Sequence, residues 1–223
     1  DLRMQAISDL ESLLFLNEKE TLEVNHLQKV LNNNFWIFGE QFRLFRHTEG
    51  ALKKTLHDYA KDILGIDNPV ITTESRKEVD LFLTRTEELS EKLQKNIVVE
   101  IKRPSIKLGK KEYDQIEEYY KKIKGESVCN GDNQYWEFYL IGNDYDDDIS
   151  DKIESAATHG EKERGLTFNT GNGKYRIYVR KWSDILQTEW GYKMKYLKDK
   201  LELEVKDNSG KSSDDIVESQ KAS

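Results

Sequence analysis

Two short segments that combine apolar and charged residues constrain the fold of this chain more than any other feature. They are EVDLFL, which contains Asp80, and NIVVEIKRP, which contains Glu100 and Lys102. Side chains alternate between the two sides of a β-strand, so Glu100 and Lys102 share one side and Ile101 lies on the other. A charged group inside such a strand costs free energy unless it is paired or binds a metal. Three such groups near two strand ends need a common explanation.

The rest of the chain predicts an α/β domain. Apolar residues recur at helical spacing in some segments and follow strand patterns in others. The predicted helices are 22–31, 50–63, 110–122 and 183–203, and the predicted strands are 70–73, 79–84, 97–102, 136–141, 166–170 and 174–179. Strands followed by a crossover helix and another strand predict a mixed central sheet flanked by helices, closed by a long C-terminal helix.

The predicted boundaries follow composition. We expect a lead-in helix or linker over 1–21, the main domain over 22–205 and a disordered tail over 206–223, which is rich in Ser, Asp and Lys. The chain begins with Asp rather than Met, so we expect a fragment of a longer chain with a preceding domain. The acidic stretch 144–150 is interpreted as a loop, because it lacks the full ligand spacing of a calcium site.

Charge and cysteine content narrow the classes of protein. A net charge of −7 argues against a protein that coats nucleic acid nonspecifically, but it permits one local basic patch. The single cysteine excludes an intramolecular disulfide and a cysteine-rich zinc site, and it suits the cytoplasm. No apolar run approaches the roughly 18 residues needed to cross a bilayer, so no membrane segment is expected.

Metal-assisted phosphodiester hydrolysis is one explanation for the charged strand ends. Asp80 and Glu100 would hold one or two Mg²⁺ or Mn²⁺ ions, which lower the pKa of a bound water. The Lys102 ammonium would orient the water and stabilise developing charge. A buried structural ion pair between Lys102 and a neighbouring acid is the other explanation. Spacing alone favours neither, although a second Glu-x-Lys at Glu204 lacks the strand context.

The helix after the second strand adds a further pair of polar residues. Gln115 and Tyr119 are four residues apart and therefore lie on one helical face. That face would point toward the strand ends if the helix crosses back over the sheet. A solvated Gln115 and a core Tyr119 are the alternative, and the spacing alone is weak evidence.

Together these residues resemble a known family. An Asp, then Glu-x-Lys on the next strand, then Gln-x-x-x-Tyr on a helix is similar to the PD-(D/E)xK nuclease superfamily, and the Gln–Tyr helix resembles its RecB-like branch. A wider resemblance, over about residues 22–203, is to Shedu-type anti-phage nucleases. The segments that carry it are FWIFG, VVEIKRP, QIEEYY and KYRIYVRKWSDIL.

This resemblance implies a restriction-endonuclease-like fold with Asp80, Glu100 and Lys102 as the catalytic set. Gln115 and Tyr119 would be auxiliary. Many members of the superfamily add a Glu from the first helix to the metal site, and Glu40 is the candidate here, with an exposed Glu after a glycine turn as an equal alternative. Val79 stands where the superfamily often has Pro.

The implied function is that of a Mg²⁺-dependent DNA endonuclease, with Mn²⁺ as a substitute, in prokaryotic anti-phage defence. A free nuclease would be toxic, so gating by oligomerisation or by a preceding domain is expected. The alternatives are a nucleic-acid-binding module without catalysis and an assembly or sensor domain on the same fold.

Contact with DNA requires positive charge near the site. Arg103, Lys107 and Lys110 lead from the second strand into the following helix, so they are the predicted phosphate contacts. Acidic residues are interspersed along this helix, so a solvated helix face is the competing interpretation.

Overall fold

The computed structural model describes residues 2–47, 51–88, 92–156, 164–196 and 199. The strands are β1 Arg43–His47, β2 Leu81–Glu88, β3 Lys92–Ile101, β4 Lys107–Leu108, β5 Gln134–Gly142, β6 Asp144–Tyr145, β7 Leu166–Asn169 and β8 Tyr175–Lys181. The helices are α1 Leu2–Glu11, α2 Lys29–Asn33, α3 Leu52–Asp62, α4 Lys110–Gly125 and α5 Asp147–Ala156. Further helical segments are Ser12–Leu16, Glu23–Gln28, Phe35–Phe38, Ser127–Cys129 and Asp184–Trp190.

Six strands form one mixed sheet in the order β1-β2-β3-β5-β8-β7. β3, β5 and β8 are parallel neighbours, and the other pairs are antiparallel. β4 and β6 form a separate parallel pair. α4 lies in the crossover between the parallel strands β3 and β5, which brings it back over the sheet. The predicted mixed sheet flanked by helices is confirmed.

Helices cover both faces of the sheet. On face one, strand residues such as Phe82, Val98 and Phe138 pack against α3, α4 and α5. On face two, the alternate residues Ile97, Val99 and Ile101 pack against α1, the segment around α2 and the terminal helical segment. The alternation predicted for β3 is confirmed, and it leaves Glu100 on face one.

The first two helical segments contribute to the core. Leu10 and Leu14 are fully buried in the face-two cluster, together with Trp182 from the other end of the domain. The core therefore includes a segment that the predicted boundary at residue 22 leaves out. Among the described residues, no helix is long and apolar enough to cross a bilayer.

Two local predictions are wrong. Residues 70–73 are not a sheet strand, because the amides of Thr72 and Thr73 donate to the Glu126 carboxylate, at 2.9 and 2.6 Å, rather than to a neighbouring strand. The acidic stretch 144–150 is not a loop but contains β6 and the start of α5. Asp146 caps that helix by accepting a hydrogen bond from the Ile149 amide, at 3.0 Å.

The chain termini lie partly outside the described structure. The predicted helix 183–203 is helical over its described part up to residue 196. Residues 197–198, 200–203 and the whole predicted tail 206–223 lie outside the described residues, so a long C-terminal helix stays a prediction.

Candidate metal centre

The antiparallel pairing of β2 and β3 brings the two predicted carboxylates together. Leu81 pairs with Val99, so Asp80, just before β2, lies opposite the end of β3 that carries Glu100. The Asp80 Oδ2 atom accepts a hydrogen bond from the Ile101 amide at 2.6 Å, and Oδ1 accepts one from the Gln28 side chain. Asp80 is 6% exposed. The backbone and Gln28 therefore fix this carboxylate in a site nearly closed to water.

Glu100 is even more deeply buried, at 2% exposure, and its two oxygens differ. Oε1 accepts hydrogen bonds from the Lys102 ammonium at 2.6 Å and from the Gln115 amide at 2.5 Å. Oε2 is buried and accepts no hydrogen bond from the described residues, because the nearby Tyr119 hydroxyl donates its proton to the Glu78 carbonyl. An unsatisfied buried carboxylate oxygen is costly, so it indicates a place for a ligand that the protein itself does not supply.

Glu23, which the sequence analysis did not single out, is the third carboxylate of the site. One oxygen each of Glu23, Asp80 and Glu100 lies within 4.8 Å of the others. Glu23 is half-buried and belongs to the helical segment before α2. Leu27 and Leu31 follow it at four-residue intervals and are fully buried. Glu23 therefore extends the buried stripe of this helix toward the strand ends.

Glu40, the carboxylate predicted for this position, lies elsewhere. It is in an ion pair with Arg3, and about half of its side chain is exposed. It is not part of the acidic cluster formed by Glu23 and the strand carboxylates. The structure thus supplies a glutamate from an early helix, but from Glu23 instead of Glu40.

Burial and mutual repulsion disfavour charge on the carboxylates. Burial first, and then the charge of Glu100, raise the pKa of Asp80 well above its usual range. Burial raises the pKa of Glu100, against the opposing effect of Lys102. Burial also raises the pKa of Glu23, partly offset by Lys102 and Arg103. Three carboxylates crowded around one ammonium need additional positive charge to be ionised together.

Lys102 and the helix α4 complete the site. Burial acts to lower the pKa of Lys102, but the charges of Glu100, Glu23 and Asp80 outweigh it and hold the pKa above its ordinary value. Its Nζ atom also donates to the Gln115 carbonyl at 3.0 Å. Gln115 therefore accepts from Lys102 and donates to Glu100 with one amide group.

Tyr119 connects α4 to the start of the Asp80 strand. Its hydroxyl donates to the Glu78 carbonyl at 2.6 Å and accepts a longer hydrogen bond, 3.3 Å, from Gln115. Burial, followed by the charge of Glu100, raises the pKa of Tyr119, so the hydroxyl stays protonated and remains a donor. Gln115 and Tyr119 thus face the strand ends instead of solvent.

The donor set fits a hard divalent cation. One carboxylate oxygen from each of three residues lies in the cluster, and Glu100 has an oxygen without a donor among the described residues. Oxygen ligands are those that Mg²⁺ and Mn²⁺ prefer. Such an ion would supply both the missing partner for Glu100 Oε2 and the missing positive charge.

The predicted phosphate contacts lie along the path from the site into α4. Arg103, Lys107 and Lys110 are all exposed. Arg103 adjoins the site, since its backbone amide and its positive charge both act to lower the pKa of Glu23. Lys107 lies in β4 opposite Asp144, which itself pairs with Lys181 at 2.9 Å. All three side chains are accessible to a phosphate backbone.

A comparison with known protein families gives a match to part of the chain. Residues 45–146 match the family model described as type I restriction enzyme R protein N terminus (HSDR_N). The match spans a little less than half of the chain and includes Asp80, Glu100, Lys102, Gln115 and Tyr119, whereas Glu23 precedes it. No curated protein and no solved structure matches the chain. The segment that carries the strand carboxylates is thus similar to a restriction-enzyme domain.

Proposed function

We propose that this protein is a Mg²⁺-dependent DNA endonuclease. One observation carries the proposal: the Glu100 carboxylate, whose buried Oε2 lacks a hydrogen-bond donor among the described residues, lies in a cluster with the Asp80 and Glu23 carboxylates. Similarity to a restriction-enzyme domain over residues 45–146 supports DNA as the substrate. The Shedu-like segments support a role in anti-phage defence.

Each residue has a distinct task in this proposal. Glu23, Asp80 and Glu100 would hold the ion, which when bound lowers the pKa of a water and neutralises phosphate charge. The Lys102 ammonium has three N–H donors, and Glu100 and Gln115 accept two of them. Its third donor would orient the attacking water or contact a phosphate oxygen.

The positioning of Lys102 depends on α4. The Gln115 amide fixes Lys102 and Glu100 relative to each other, and Tyr119 ties the same helix to the backbone just before Asp80. Arg103, Lys107 and Lys110 would hold the DNA backbone in register.

The structural ion pair considered from the sequence is present between Lys102 and Glu100. It accounts for one oxygen of Glu100 and leaves the other oxygen and the placement of Glu23 unexplained. We therefore favour the metal centre over an ion pair whose only role is structural.

The test is cleavage of supercoiled, linear and single-stranded DNA with Mg²⁺, Mn²⁺ or EDTA. Asp80→Ala and Lys102→Ala are compared with the parent and with Lys121→Ala, which removes an exposed lysine at the far end of α4. We expect metal-dependent cleavage by the parent and by Lys121→Ala, and none by the two site variants. DNA that is bound but never cut would instead support a binding module, and equal cleavage by all four proteins would refute the active-site assignment.

A further inference from the structure

A cavity lined by charged and aromatic side chains lies away from the metal centre. It has a volume of about 400 Å³, and we call it the cationic pocket. Its walls include Phe42, Arg85, Lys95, Tyr135, Arg164 and Arg176. This volume is within the range of roughly 300–1,000 Å³ that small-molecule sites occupy.

Strand β3 shows how far apart the two sites are. Lys95 in the pocket and Glu100 in the metal centre are five residues apart, which corresponds to about 17 Å along an extended strand. Because five is odd, the two side chains also point to opposite faces of the sheet. The pocket is therefore not an extension of the carboxylate cluster.

Two cations share one carboxylate at one side of this pocket. Glu87 is the common partner of Arg85 and of Lys95, the latter at 3.1 Å, so one negative charge serves two positive ones. Arg164 is 3.8 Å from the lining residue Glu137. Arg164 and Arg176 add two further cations to the lining. The excess of positive charge where Arg85 and Lys95 share Glu87 is opposite in sign to the net charge of −7, and it favours an anionic ligand.

Aromatic rings lie beside these charges. Phe42 and Tyr135 line the pocket, and the Arg85 guanidinium is 6.0 Å from the centre of the Phe42 ring. Flat aromatic and guanidinium surfaces are the groups on which nucleobases stack, while Lys and Arg bind phosphate. An inorganic anion or an acidic peptide would use the charges but would leave the rings without a partner.

We propose that the cationic pocket binds a nucleoside 5′-phosphate, with the phosphate near Lys95 and Arg85 and the base against Phe42 or Tyr135. The same chemistry is offered by a free nucleotide and by the 5′-phosphorylated end of a DNA strand. The inference does not depend on catalysis at the metal centre.

Titration of the intact protein with dAMP in EDTA tests the proposal, because EDTA prevents binding through a metal at the carboxylates. Inorganic phosphate is the reference for charge without a base. Lys95→Ala removes one cation from the pocket, and Lys92→Ala is the matched control because Lys92 is exposed on the same strand and does not line the pocket. We expect dAMP to bind more tightly than phosphate and Lys95→Ala to weaken dAMP binding about tenfold. Lys92→Ala should bind like the parent.

Two further variants test the charge and the ring separately. Glu87→Gln frees Arg85 and Lys95 from their shared carboxylate, so it should bind dAMP more tightly than the parent does. Tyr135→Ala should reduce the advantage of dAMP over phosphate while leaving phosphate binding unchanged. Absence of dAMP binding at millimolar concentration, or equal weakening in Lys95→Ala and Lys92→Ala, would overturn the proposal.

A pair of short DNA duplexes, with and without a 5′-phosphate, distinguishes the two sources. If the strand end is the ligand, the phosphorylated duplex binds more tightly, dAMP competes with it, and Lys95→Ala removes the difference. If a free nucleotide is the ligand, dAMP binds equally well in the presence of either duplex.

Discussion

Two glutamates of this protein are equally buried, at 2% exposure, but they lie in very different surroundings. Both oxygens of Glu126 are satisfied, by the Thr72 amide at 2.9 Å, the Thr72 hydroxyl at 3.0 Å and the Thr73 amide at 2.6 Å. Donors in the described part of the chain reach only one oxygen of Glu100, and its neighbours include two more carboxylates. Glu126 binds the backbone of Thr72 and Thr73 to the end of α4, whereas one oxygen of Glu100 accepts no hydrogen bond from the described residues.

This difference teaches that burial alone does not identify a functional carboxylate. The number of donors that the protein provides to each oxygen separates the structural glutamate from the candidate ligand. Replacing each glutamate by glutamine removes the charge at nearly constant volume, and the two variants should therefore fail in different assays.

The largest expected effect is on cleavage. Glu100→Gln should lower the rate of metal-dependent DNA cleavage by at least about a hundredfold, since even loss of groups behind the metal ligands costs 10- to 100-fold. Glu126→Gln should cut at the rate of the parent when assayed at a temperature where it is folded. Comparable losses in both variants would show that buried charge, and not the open oxygen, accounts for the effect.

Metal binding gives the second contrast. At about one hundred times its dissociation constant, Mn²⁺ should stabilise the parent by roughly 2.7 kcal/mol, or on the order of 5–10 °C in Tm. Glu126→Gln should show the same increase, and Glu100→Gln should show little or none. The measurement is a thermal melt with Mn²⁺ or EDTA, and an unchanged Tm in the parent would contradict the metal centre.

Stability in the absence of metal should show the reverse order. In Glu126→Gln an amide NH₂ group replaces one carboxylate oxygen, so a donor that was bonded to that oxygen loses its acceptor. We therefore expect a loss of about 2 kcal/mol in the free energy of unfolding. Glu100→Gln should cost less, because burial and neighbouring carboxylates already disfavour its charge. Denaturant unfolding in EDTA measures both, and a more stable Glu126→Gln variant would overturn the structural role of Glu126.

The smallest effect concerns two tyrosines of α4. Tyr119 donates to the Glu78 carbonyl beside the site, whereas Tyr113 bonds to Thr167 at 3.1 Å, on the side of the helix toward β7. Each Tyr→Phe change should cost about 1 kcal/mol of stability. Only Tyr119→Phe should also slow cleavage, by about tenfold. Equal cleavage by both variants would make Tyr119 a core residue and nothing more.

The sheet and the strand-borne part of the candidate site were predictable from the sequence, because they depend on local alternation. The pattern around Asp80 and Glu100 places apolar residues on face two and charged ones at the strand ends. The spacing of Gln115 and Tyr119 gave their common helical face. Their mutual contacts required the crossover of α4, which the order of elements predicts.

Glu23 was missed because its relation to the site is not local. It precedes Asp80 by 57 residues and reaches it only through docking of its helix. A signal was present: Glu23 stands four residues before Leu27 and eight before Leu31, on the apolar side of the helix. An acidic residue on that side of the helix needs a partner in the interior. Glu40, which follows a glycine and is half exposed, has no such need.

Residues 70–73 show a different limit. Their β-branched composition fits a strand, but a strand forms only where another strand provides the complementary backbone groups. Here the Glu126 carboxylate accepts hydrogen bonds from the Thr72 and Thr73 amides instead. No pattern within 70–73 reveals a partner more than fifty residues away.

The position of Glu23 also determines which part of the chain contains all three carboxylates of the cluster. The region similar to restriction enzymes begins at residue 45 and contains the Asp, Glu and Lys of the strand motif. A fragment trimmed to that region would keep the motif that sequence searches recognise, yet it would lack one carboxylate of the cluster and the first helix that covers face two. The recognisable motif and the complete carboxylate cluster therefore require different lengths of chain.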